Sequence, residues 1–565
     1  MFRRTEPPFR LLARKRRNSD STPPITKFFA TVKRERSSSE SKNVCQKLDE
    51  SFEAPNNLSQ TSHTDSPDNG LLYSLEDLRA LLGVPVKFSS KCVPSPDAPV
   101  GLENLPNRAY SHIFTILDMQ SINALSLTST KLCSRVKTYV STHDFFRRMQ
   151  LDNLDFLNSS LRPDDEEFLE NDPFTACGGL IKSITITMNT KIRAQVFLNI
   201  CRNLRDQLGG SLHGFGRLLE TITHNWKFSE RRIMVKAAIM IDADLRPSII
   251  KVLTAKPGQL IGLEMKVRSG LTQLFLNLSQ DIDEASPQEI IEFGSWLSVL
   301  IRNVIEKYQG KFYYILFGPT RSSRIGERVD WAYFCEDDSD TFTLRKSEPN
   351  YRKLLSTLLN GIRALRIMNN SKSSDQMWSG KKLYQLFLRI IEVCEVQGFW
   401  SETSSSMALA IDSSGLLSEY LVTCLDPRRD DYETLQNEAA EMVCLVRNHL
   451  YRWSAAPATF LAEPLHHAFN HLAQLDGHYD GCYKAFLEKI WNVQSSRLKE
   501  MVKNATNTTE CSEKIREELD GQLSMARLLT DISNTVVLHQ IGFQLPNDLA
   551  AELVNDPLEE EEQLE

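Results

Sequence analysis

The sequence lacks the short motifs that carry most known enzyme chemistry. It contains no H-E-x-x-H, no G-x-x-x-x-G-K-[ST] and no G-x-S-x-G. Its 11 cysteines form no C-x-x-C pair, and their odd number favours reduced thiols over a disulfide framework or a zinc module. No run approaches the roughly 18 consecutive apolar residues of a membrane span. We therefore expect a non-catalytic protein of the nucleus or cytosol that uses no cofactor.

Composition and charge place the chain in an ordinary class. It has 565 residues, 41% hydrophobic and 25% charged, which is typical of a globular protein with several domains. Its net charge of −7 gives no general signal for nucleic-acid binding. Residues 546–565 form an acidic tail, which we interpret as solvated. We predict neither a nucleic acid nor a membrane as a direct partner.

Residues 1–69 are rich in Ser, Thr, Pro, Asn and charge, so we expect a disordered tail. A mitochondrial presequence is disfavoured because Pro7 and Pro8 would break its helix. The segment Thr22–Phe29, which ends in two adjacent Phe residues, is a candidate docking peptide. We predict a nuclear location, with the cytoplasm as a second compartment. The tail carries a compact basic cluster of the nuclear-import type, for which a solvated charge run is the alternative: Arg14, Lys15, Arg16 and Arg17.

The stretch 102–140 has the strongest pattern in the chain. Leu105 and Pro106 open a helix, since a proline at the first helical position lacks only an N–H that would be unpaired anyway. Apolar residues then recur at helical spacing in three short segments. A stretch this short cannot bury so much apolar surface alone, so it needs a partner or a neighbouring domain. The three segments carry Tyr110, Ile113, Phe114 and Leu117; Ile122, Leu125 and Leu127; and Leu132, Val136 and Val140.

This order of residues resembles the F-box. The family pattern is Leu-Pro, an acidic residue, an Ile/Leu pair, Leu-Asp, then Leu-x-x-Leu-x-x-Val/Thr and a closing Trp. Arg108 stands where the family usually has Glu, and Leu132 where it usually has Trp, which should weaken adaptor binding modestly. The positions that match in order and spacing are Leu105-Pro106, Ile113-Phe114, Leu117-Asp118, Ile122, Leu125 and Leu127-Thr128.

The resemblance implies a role in ubiquitination. An F-box docks on the adaptor Skp1, which connects it to a cullin and a RING ligase, and the rest of the chain selects a protein substrate. Such a chain is a non-catalytic receptor, because the cysteine and zinc chemistry lies on other subunits. The residues that the resemblance assigns to Skp1 binding, or to support of it, are Leu105, Pro106, Ile113, Leu117, Ile122 and Leu125.

After about residue 150 the pattern is helical almost to the end. The range 287–308 has clear start signals, with Ser286 as N-cap, Pro287 in the first turn and Glu289 completing a capping box, and Gly310 is expected to end it. No strict internal repeat is visible. We predict an all-α fold: a three-helix F-box followed by an irregular, solenoid-like α-helical array. The candidate helices are 192–208, 229–242, 259–278, 287–308, 350–367, 376–397, 430–453, 479–503 and 512–535.

Residues 311–331 interrupt this helical pattern. An apolar run from Phe312 to Phe317 is stopped by Gly-Pro, and a polar loop leads to Val-Asp-Trp. Together with the F-box and the helical remainder, this segment resembles the F-box only protein 47 family. Members of that family are associated with germline meiosis, so the resemblance implies a role in chromosome pairing, synapsis and prophase progression.

The best candidate metal ligands are the histidines between residues 466 and 478. A helix would place His467 and His471 on one face, and Asp476 and His478 could follow after a turn, beside His466. Surface histidines are common, however, and no thiol stands at metal spacing. We predict no metal site.

The domain boundaries follow from these patterns. We expect a tail at 1–69, a short helix and linker at 70–100, the F-box at 101–145, a substrate-binding helical region at 146–545, and the acidic tail at 546–565. Leu71–Leu82 should form the short helix, capped by Ser74 with Asp77 at its third position, and pack on the F-box. The alternative function is a helical scaffold that recruits chromosomal proteins without ubiquitination.

Overall fold

The fold is described here from a computed structural model. The ranges that the structure describes are 74–84, 102–158, 172–208, 212–276, 282, 284–324, 326–335, 349–369, 378–394, 400–453, 455, 457–473, 479–503 and 508–540. The basic cluster at residues 14–17, the candidate peptide Thr22–Phe29 and the acidic C-terminal tail lie outside these ranges. So do Asp476 and His478 of the histidine cluster.

The N-terminal part of the described chain contains one short helix and a group of four helices. The three-residue 3₁₀ turn Leu102–Asn104 precedes this group. The helices are α1 (Leu75–Leu81), α2 (Asn107–Ile116), α3 (Met119–Thr128), α4 (Thr130–Val140) and α5 (His143–Asn158).

Sixteen further helices and one small hairpin follow in the described residues. The helices before the hairpin are α6 (Pro173–Thr185), α7 (Thr190–Leu208), α8 (His213–Thr223), α9 (Phe228–Ile239), α10 (Leu245–Thr254), α11 (Ile261–Phe275), α12 (Pro287–Arg302) and α13 (Gln309–Phe317). The hairpin comprises β1 (Thr320–Ser323) and β2 (Gly326–Val329). The helices after it are α14 (Pro349–Asn369), α15 (Gly380–Cys394), α16 (Glu402–Ile411), α17 (Ser418–Cys424), α18 (Tyr432–Arg452), α19 (Pro457–Ala473), α20 (Tyr479–Lys503) and α21 (Thr508–Gln540).

The helices stack in two layers, in each of which a helix packs on the next member of the same layer. One layer contains α3, α6, α8, α11, α13, α15, α17, α19 and α21. The other contains α5, α7, α9, α12, α14, α16, α18 and α20. Contacts between elements two or three apart along the chain are the arrangement of an α-solenoid, in which each repeat buries its apolar face against its neighbours. The all-α, solenoid-like prediction is confirmed.

One apolar core runs through both the N-terminal helices and the solenoid. The same cluster of buried side chains includes Phe114 of α2, Phe197 of α7, Leu297 of α12 and Met525 of α21. The group α2–α5 is therefore packed on the solenoid, and α3 contacts α6 directly. No helix in the described ranges is long and apolar enough to cross a membrane.

Two sequence-based expectations about the region around residue 310 are wrong. The helix that begins at Pro287 ends at Arg302, with Asn303 as C-cap, and Gly310 instead lies inside the next helix, α13. The apolar run Phe312–Phe317 also belongs to α13, so it continues the array that it was expected to interrupt. A fully buried helix has apolar residues on every side and shows no stripe, so periodicity alone does not reveal it.

Within the described residues, the array is interrupted by the hairpin and by the turn after it. The strands β1 and β2 pair antiparallel, with Thr320 opposite Val329 and Ser323 opposite Gly326. Gly326 has φ +117°, a conformation that other residues adopt only with strain. The hairpin packs on α11 through β2.

The short helix α1 has the predicted cap but not the predicted neighbour. The Ser74 side chain accepts a hydrogen bond from the Asp77 backbone N–H, and the Asp77 carboxylate accepts one from the Ser74 N–H, which is a complete capping box. Leu78 of α1 is fully buried. Helix α1 packs on α7 of the solenoid, so the expected docking on the F-box is wrong.

Candidate functional site

The helices α2, α3 and α4 are each started by a residue with a clear local role. Pro106 is the N-cap of α2, one position earlier than expected, and its carbonyl accepts hydrogen bonds from the first turn. The Asp118 carboxylate caps α3 by accepting from the Ser121 N–H at 2.5 Å. The Ser129 hydroxyl caps α4 by accepting from the Leu132 N–H at 3.2 Å. Each cap satisfies one of the unpaired amides at the start of its helix, where the chain turns between α2, α3 and α4.

An aromatic cluster holds these helices together. The ring of Phe114 lies 5.7 Å from that of Tyr110 and 5.2 Å from that of Tyr139, and Tyr139 makes an edge contact with Phe145 at 5.8 Å. Tyr110 donates its hydroxyl hydrogen to the carbonyl oxygen of Leu102, and Arg148 donates to the carbonyl oxygen of Phe114. Burial raises the pKa of Tyr110 and of Tyr139 above the usual range. Both phenols therefore stay neutral, as their packing requires.

Asp118 differs from these buried groups because it is exposed and charged. The hydrogen bond from the Ser121 backbone N–H stabilises its carboxylate form and lowers its pKa below the usual range. This is the acidic residue of the Leu-Asp pair in the F-box pattern. Its observed role here is to cap α3.

The structure separates the six residues assigned to adaptor binding into three groups. Ile122 has no exposed surface, so it supports the fold from inside and does not contact a partner. Pro106 is exposed. The remaining four are half-buried, with part of each side chain in the core and part at the surface: Leu105, Ile113, Leu117 and Leu125.

Sequence reasoning did not single out the most exposed apolar side chains of this unit. Ile116 at the end of α2 is 73% exposed, Leu127 near the end of α3 is 64% exposed, and Leu102 is 45% exposed. Leu127 had been grouped with the apolar patch of the second segment. Ile116 lies off the stripe of α2, and an off-stripe apolar residue in a short helix is the one signal that could have indicated it.

The two departures from the F-box pattern fall in different places. Leu132, which stands where the family usually has Trp, is 4% exposed and packs in the core. Arg108, where Glu is usual, is exposed on the first turn of α2. Only Arg108 therefore changes the surface that a partner would meet.

Helix α3 is pressed closely against the first helix of the solenoid. A side chain at Gly179 of α6 would reach the Asn123 amide of α3, with its Cβ 3.4 Å from Nδ2. At Gly178 a Cβ would lie only 2.7 Å from Thr221 Cβ of α8. Two consecutive glycines thus let α6 fit between α3 and α8. This packing gives the F-box a fixed orientation relative to the helices that follow.

The segment that carried the second resemblance is structural. The Tyr313 hydroxyl donates to the Leu358 carbonyl oxygen at 2.6 Å and accepts from the Ile362 N–H at 3.0 Å. The Tyr314 hydroxyl donates to the Asp330 carbonyl oxygen at 2.9 Å, and its ring stacks on Trp331 at 4.8 Å. All these side chains are buried, so they anchor α13 to α14 and to the hairpin and offer no surface to a partner.

The described part of the histidine cluster does not form a metal site. His466, His467 and His471 all lie on α19, and His466 Nδ1 is 2.9 Å from the Asn470 side-chain nitrogen. Among the residues that the structure describes, no group of three or more His, Cys, Asp or Glu side chains is placed to hold a metal ion.

A three-helix F-box joined to a two-layer helical solenoid defines the class of this protein. The family model "FBXO47, ARM repeats" matches residues 241–545, more than half of the 565-residue chain. The chain belongs to this family. The matched region begins between α9 and α10 and includes every later helix of both layers.

Two curated relatives agree with this assignment. The chain is 25% identical over 252 residues to human F-box only protein 47, which covers 43% of the chain and 52% of the relative. It is 27% identical over 262 residues to mouse F-box only protein 47, which covers 44% of the chain and 54% of the relative. The chain thus matches about half the length of these relatives. No solved structure matches it.

Proposed function

We propose that the chain is a non-catalytic substrate receptor of a Skp1–cullin–F-box ubiquitin ligase. The F-box would bind a Skp1-like adaptor and through it a cullin, and the solenoid would bind the protein to be ubiquitinated. The proposal includes a nuclear location and a role in meiotic prophase and homologous chromosome pairing, which rest on the basic cluster at residues 14–17 and on the family resemblance.

The observation that carries this proposal is the apolar surface of the F-box helices. Ile116 and Leu127 are the two most exposed large apolar side chains of α2, α3 and α4, and half-buried leucines lie beside them in the sequence. Scattered exposed apolar residues are normal on a protein surface, but several within one small helical unit indicate a binding surface. An adaptor that covered them would remove this apolar area from water.

The packing of the F-box on the solenoid also supports separate roles in adaptor binding and substrate binding. The F-box is packed on the solenoid, with α3 against α6, so a protein bound on the solenoid would be held in a fixed position relative to the adaptor. A receptor needs this geometry because it acts by positioning a substrate near chemistry that other subunits perform.

The test is co-purification of the full chain with Skp1, comparing wild type with Ile116→Ser plus Leu127→Ser. Each lost apolar contact is worth about 1–3 kcal/mol, so the double variant should bind at least tenfold more weakly. The matched control is Leu523→Ser on α21, far along the chain, where the leucine side chain is 55% exposed. This variant should bind Skp1 as wild type does.

Because these three residues are exposed, none of the substitutions should unfold the protein. A folded wild-type chain that fails to bind Skp1 would contradict the receptor proposal. It would leave the helical scaffold, which recruits chromosomal proteins without ubiquitination, as the remaining function. Turnover of a bound protein that does not depend on cullin activity would have the same meaning.

A further inference from the structure

A cavity of about 420 Å³ opens in the solenoid layer that contains α15, α17 and α19. Its walls come from the start of α15, from α17, from one face of α19 and from Arg366 near the end of α14. Cavities of this size hold small ligands or one or two side chains of a partner. It lies far along the chain from the F-box, within the part that the armadillo family model matches.

Acidic side chains dominate the charge of the cavity walls. Glu419 of α17 and Glu463 of α19 both line it, and Arg366 is the basic residue of the lining. Arg366 forms an ion pair with the buried Asp412, which balances its charge. Within the described residues the two glutamates are the acidic side chains of the lining, and they make this surface attractive to a cation.

A carboxylate oxygen beside the cavity has no partner. Asp412 is only 2% exposed, and its Oδ1 contacts Arg366, while its Oδ2 receives no hydrogen bond within the described chain. Gly415 lines the cavity next to it, and a Cβ at Gly415 would lie 3.2 Å from Oδ2. A buried acceptor without a donor is unfavourable, and a donor entering past Gly415 would remove this penalty.

The backbone around Gly415 is irregular in a way that suits a binding site. Residues Ser413–Leu417 form a π-helical turn between α16 and α17. Such turns are rare and occur often at functional sites, because they release backbone from regular packing. Here the turn brings Gly415 to the cavity and leads into α17, which carries Glu419.

One glycine makes the position of Glu419 possible. A Cβ added at Gly380, the first residue of α15, would lie 2.5 Å from Glu419 Oε1. The Glu419 carboxylate therefore occupies space that any other residue at position 380 would need. The missing side chain lets the acid lie against the start of α15.

An aromatic ring and polar side chains of α19 complete the walls. Trp378 lines the cavity, and its Nε1 donates to the Ser298 hydroxyl at 2.8 Å, which fixes the indole. His466, His467 and Asn470 of α19 also line the cavity, and the side chains of His466 and Asn470 contact each other at 2.9 Å. The Arg302 guanidinium lies 5.5 Å from the centre of the Trp378 ring, and aromatic rings and carboxylates are both groups that contact cationic side chains.

We propose that this cavity binds a basic side chain, lysine or arginine, of the protein that the solenoid recruits. Glu419 and Glu463 would bind the cationic head, and Trp378 would contact the aliphatic stem. The inference names the chemistry of the partner segment and so rests on the proposed function of the solenoid as a substrate-binding region. The binding of this basic side chain is assigned to the cavity between α15, α17 and α19.

The test uses the full chain and small probes with matched shape. Saturation-transfer NMR would measure the binding of Nα-acetyl-arginine amide and Nα-acetyl-lysine amide, with Nα-acetyl-citrulline amide as the uncharged counterpart of arginine. We expect a basic probe to bind at least tenfold more tightly than citrulline amide. Equal binding of arginine and citrulline amides, or no binding of either basic probe, would overturn the proposal.

Substitutions locate the binding on the protein. Glu419→Gln plus Glu463→Gln should weaken binding of the basic probe at least tenfold, because both carboxylate charges are removed without changing side-chain size. The matched control is Glu433→Gln plus Glu488→Gln, two exposed acids on α18 and α20, which should leave binding unchanged. Basic-probe binding that survives the first pair, or falls equally in the control, would also overturn the proposal.

A second variant keeps the test decisive if the double substitution unfolds the chain. Gly380→Ala adds a methyl group where the Glu419 carboxylate lies, so it should weaken binding several-fold while retaining every charge; unchanged affinity would count against the cavity. Skp1 co-purification of the same variants separates the two proposals. A chain that binds Skp1 but no basic probe contradicts only the cavity, and one that binds the probe but not Skp1 contradicts only the ligase role.

Discussion

The Nζ atom of Lys311 lies 2.5 Å from the carbonyl oxygen of Val252, although both residues are buried. The same ammonium group also contacts the carbonyl oxygens of Leu253 and Ala255. These carbonyls lie at the C-terminal end of α10, where no further amide of the helix can pair with them. A lysine of α13 thus caps α10 across about sixty residues of chain, and the positive charge also matches the negative end of the helix dipole.

Lys311→Met should therefore destabilise the fold. The substitution keeps the length of the side chain but leaves buried carbonyl oxygens without a donor, which costs about 1–3 kcal/mol. The midpoint of urea-induced unfolding would show it. Lys251→Met, on the exposed side of α10, is the matched control and should change the midpoint little. Equal midpoints for the two variants would mean that the cap contributes no stability.

Lys311 should also give the stability a pH dependence. Burial lowers its pKa from 10.5 to about 8, against a smaller opposite effect of Glu264. Between these pH values the unfolded chain binds the proton and the folded chain does not, so folding stability gains with rising pH. Below pH 8 the burial penalty is fully present, and above 10.5 it is absent.

Urea midpoints of wild type and Lys311→Met at pH 7.5 and pH 10 would test this dependence. The difference between the two proteins isolates this group from the tyrosines and cysteines that titrate in the same range. We expect wild type to be more stable relative to Lys311→Met at pH 10 than at pH 7.5. A difference that stays constant would show that the three carbonyl contacts hold the pKa near its usual value.

The cap of α3 by Asp118 gives a prediction for stability at acidic pH. Asp118→Ala should cost about 1 kcal/mol, whereas Asp118→Asn keeps an acceptor for the Ser121 N–H and should cost much less. The pKa of Asp118 is lowered in the folded state, so the charged carboxylate stabilises the fold above about pH 4. This stabilisation is lost as the pH falls through the folded-state pKa. Thermal unfolding of the three proteins at pH 7 and pH 3 measures both effects. Wild type should approach the Asn variant at pH 3, and a constant gap would contradict the linkage.

The helix caps at Ser74 and Ser286 were predictable from the sequence because they depend on neighbours in the chain. The capping boxes of Ser74 with Asp77 and of Ser286 with Glu289 are both present as expected. The burial of α13 was not predictable in this way, since a short apolar run fits a buried helix or a buried strand equally well. Its place depends on contacts with α11 and α15, which lie far along the sequence.

The same limit applies to the two candidate binding surfaces. Helical spacing predicts an apolar face for α3 but does not show which apolar residue faces inward, so Ile122 and Leu127 could not be told apart. The solenoid cavity depends on Gly380 and Glu419, which no local pattern connects. Only the packing of α15 against α17 brings them together.

The buried hydroxyl of Tyr313 offers a test of how α13 is anchored. Tyr313→Phe removes one donor to the Leu358 carbonyl oxygen and one acceptor for the Ile362 N–H, both inside the core. Losing these two buried hydrogen bonds, each worth about 0.5–1.5 kcal/mol net, should destabilise the chain. Tyr451→Phe, at a position that is 44% exposed, serves as the control and should be nearly neutral. The midpoint of urea-induced unfolding measures both variants, and a neutral Tyr313→Phe would indicate that the Ile362 N–H and the Leu358 carbonyl, four residues apart in α14, bond to each other instead.

The contrast between Ile122 and Leu127 tests the division of the F-box into core and surface. Ile122→Ala removes a fully buried side chain and should lower the unfolding free energy by about 2–5 kcal/mol. Leu127→Ser changes a side chain that is 64% exposed, so it should leave stability nearly unchanged and weaken Skp1 binding alone. Thermal unfolding and Skp1 affinity, measured on both variants, separate these outcomes. If Ile122→Ala kept full stability but lost adaptor binding, Ile122 would belong to the binding surface, as the F-box resemblance had allowed. If both variants lost only stability, the exposed apolar side chains would not form the adaptor site, and the contact would have to lie on the half-buried leucines.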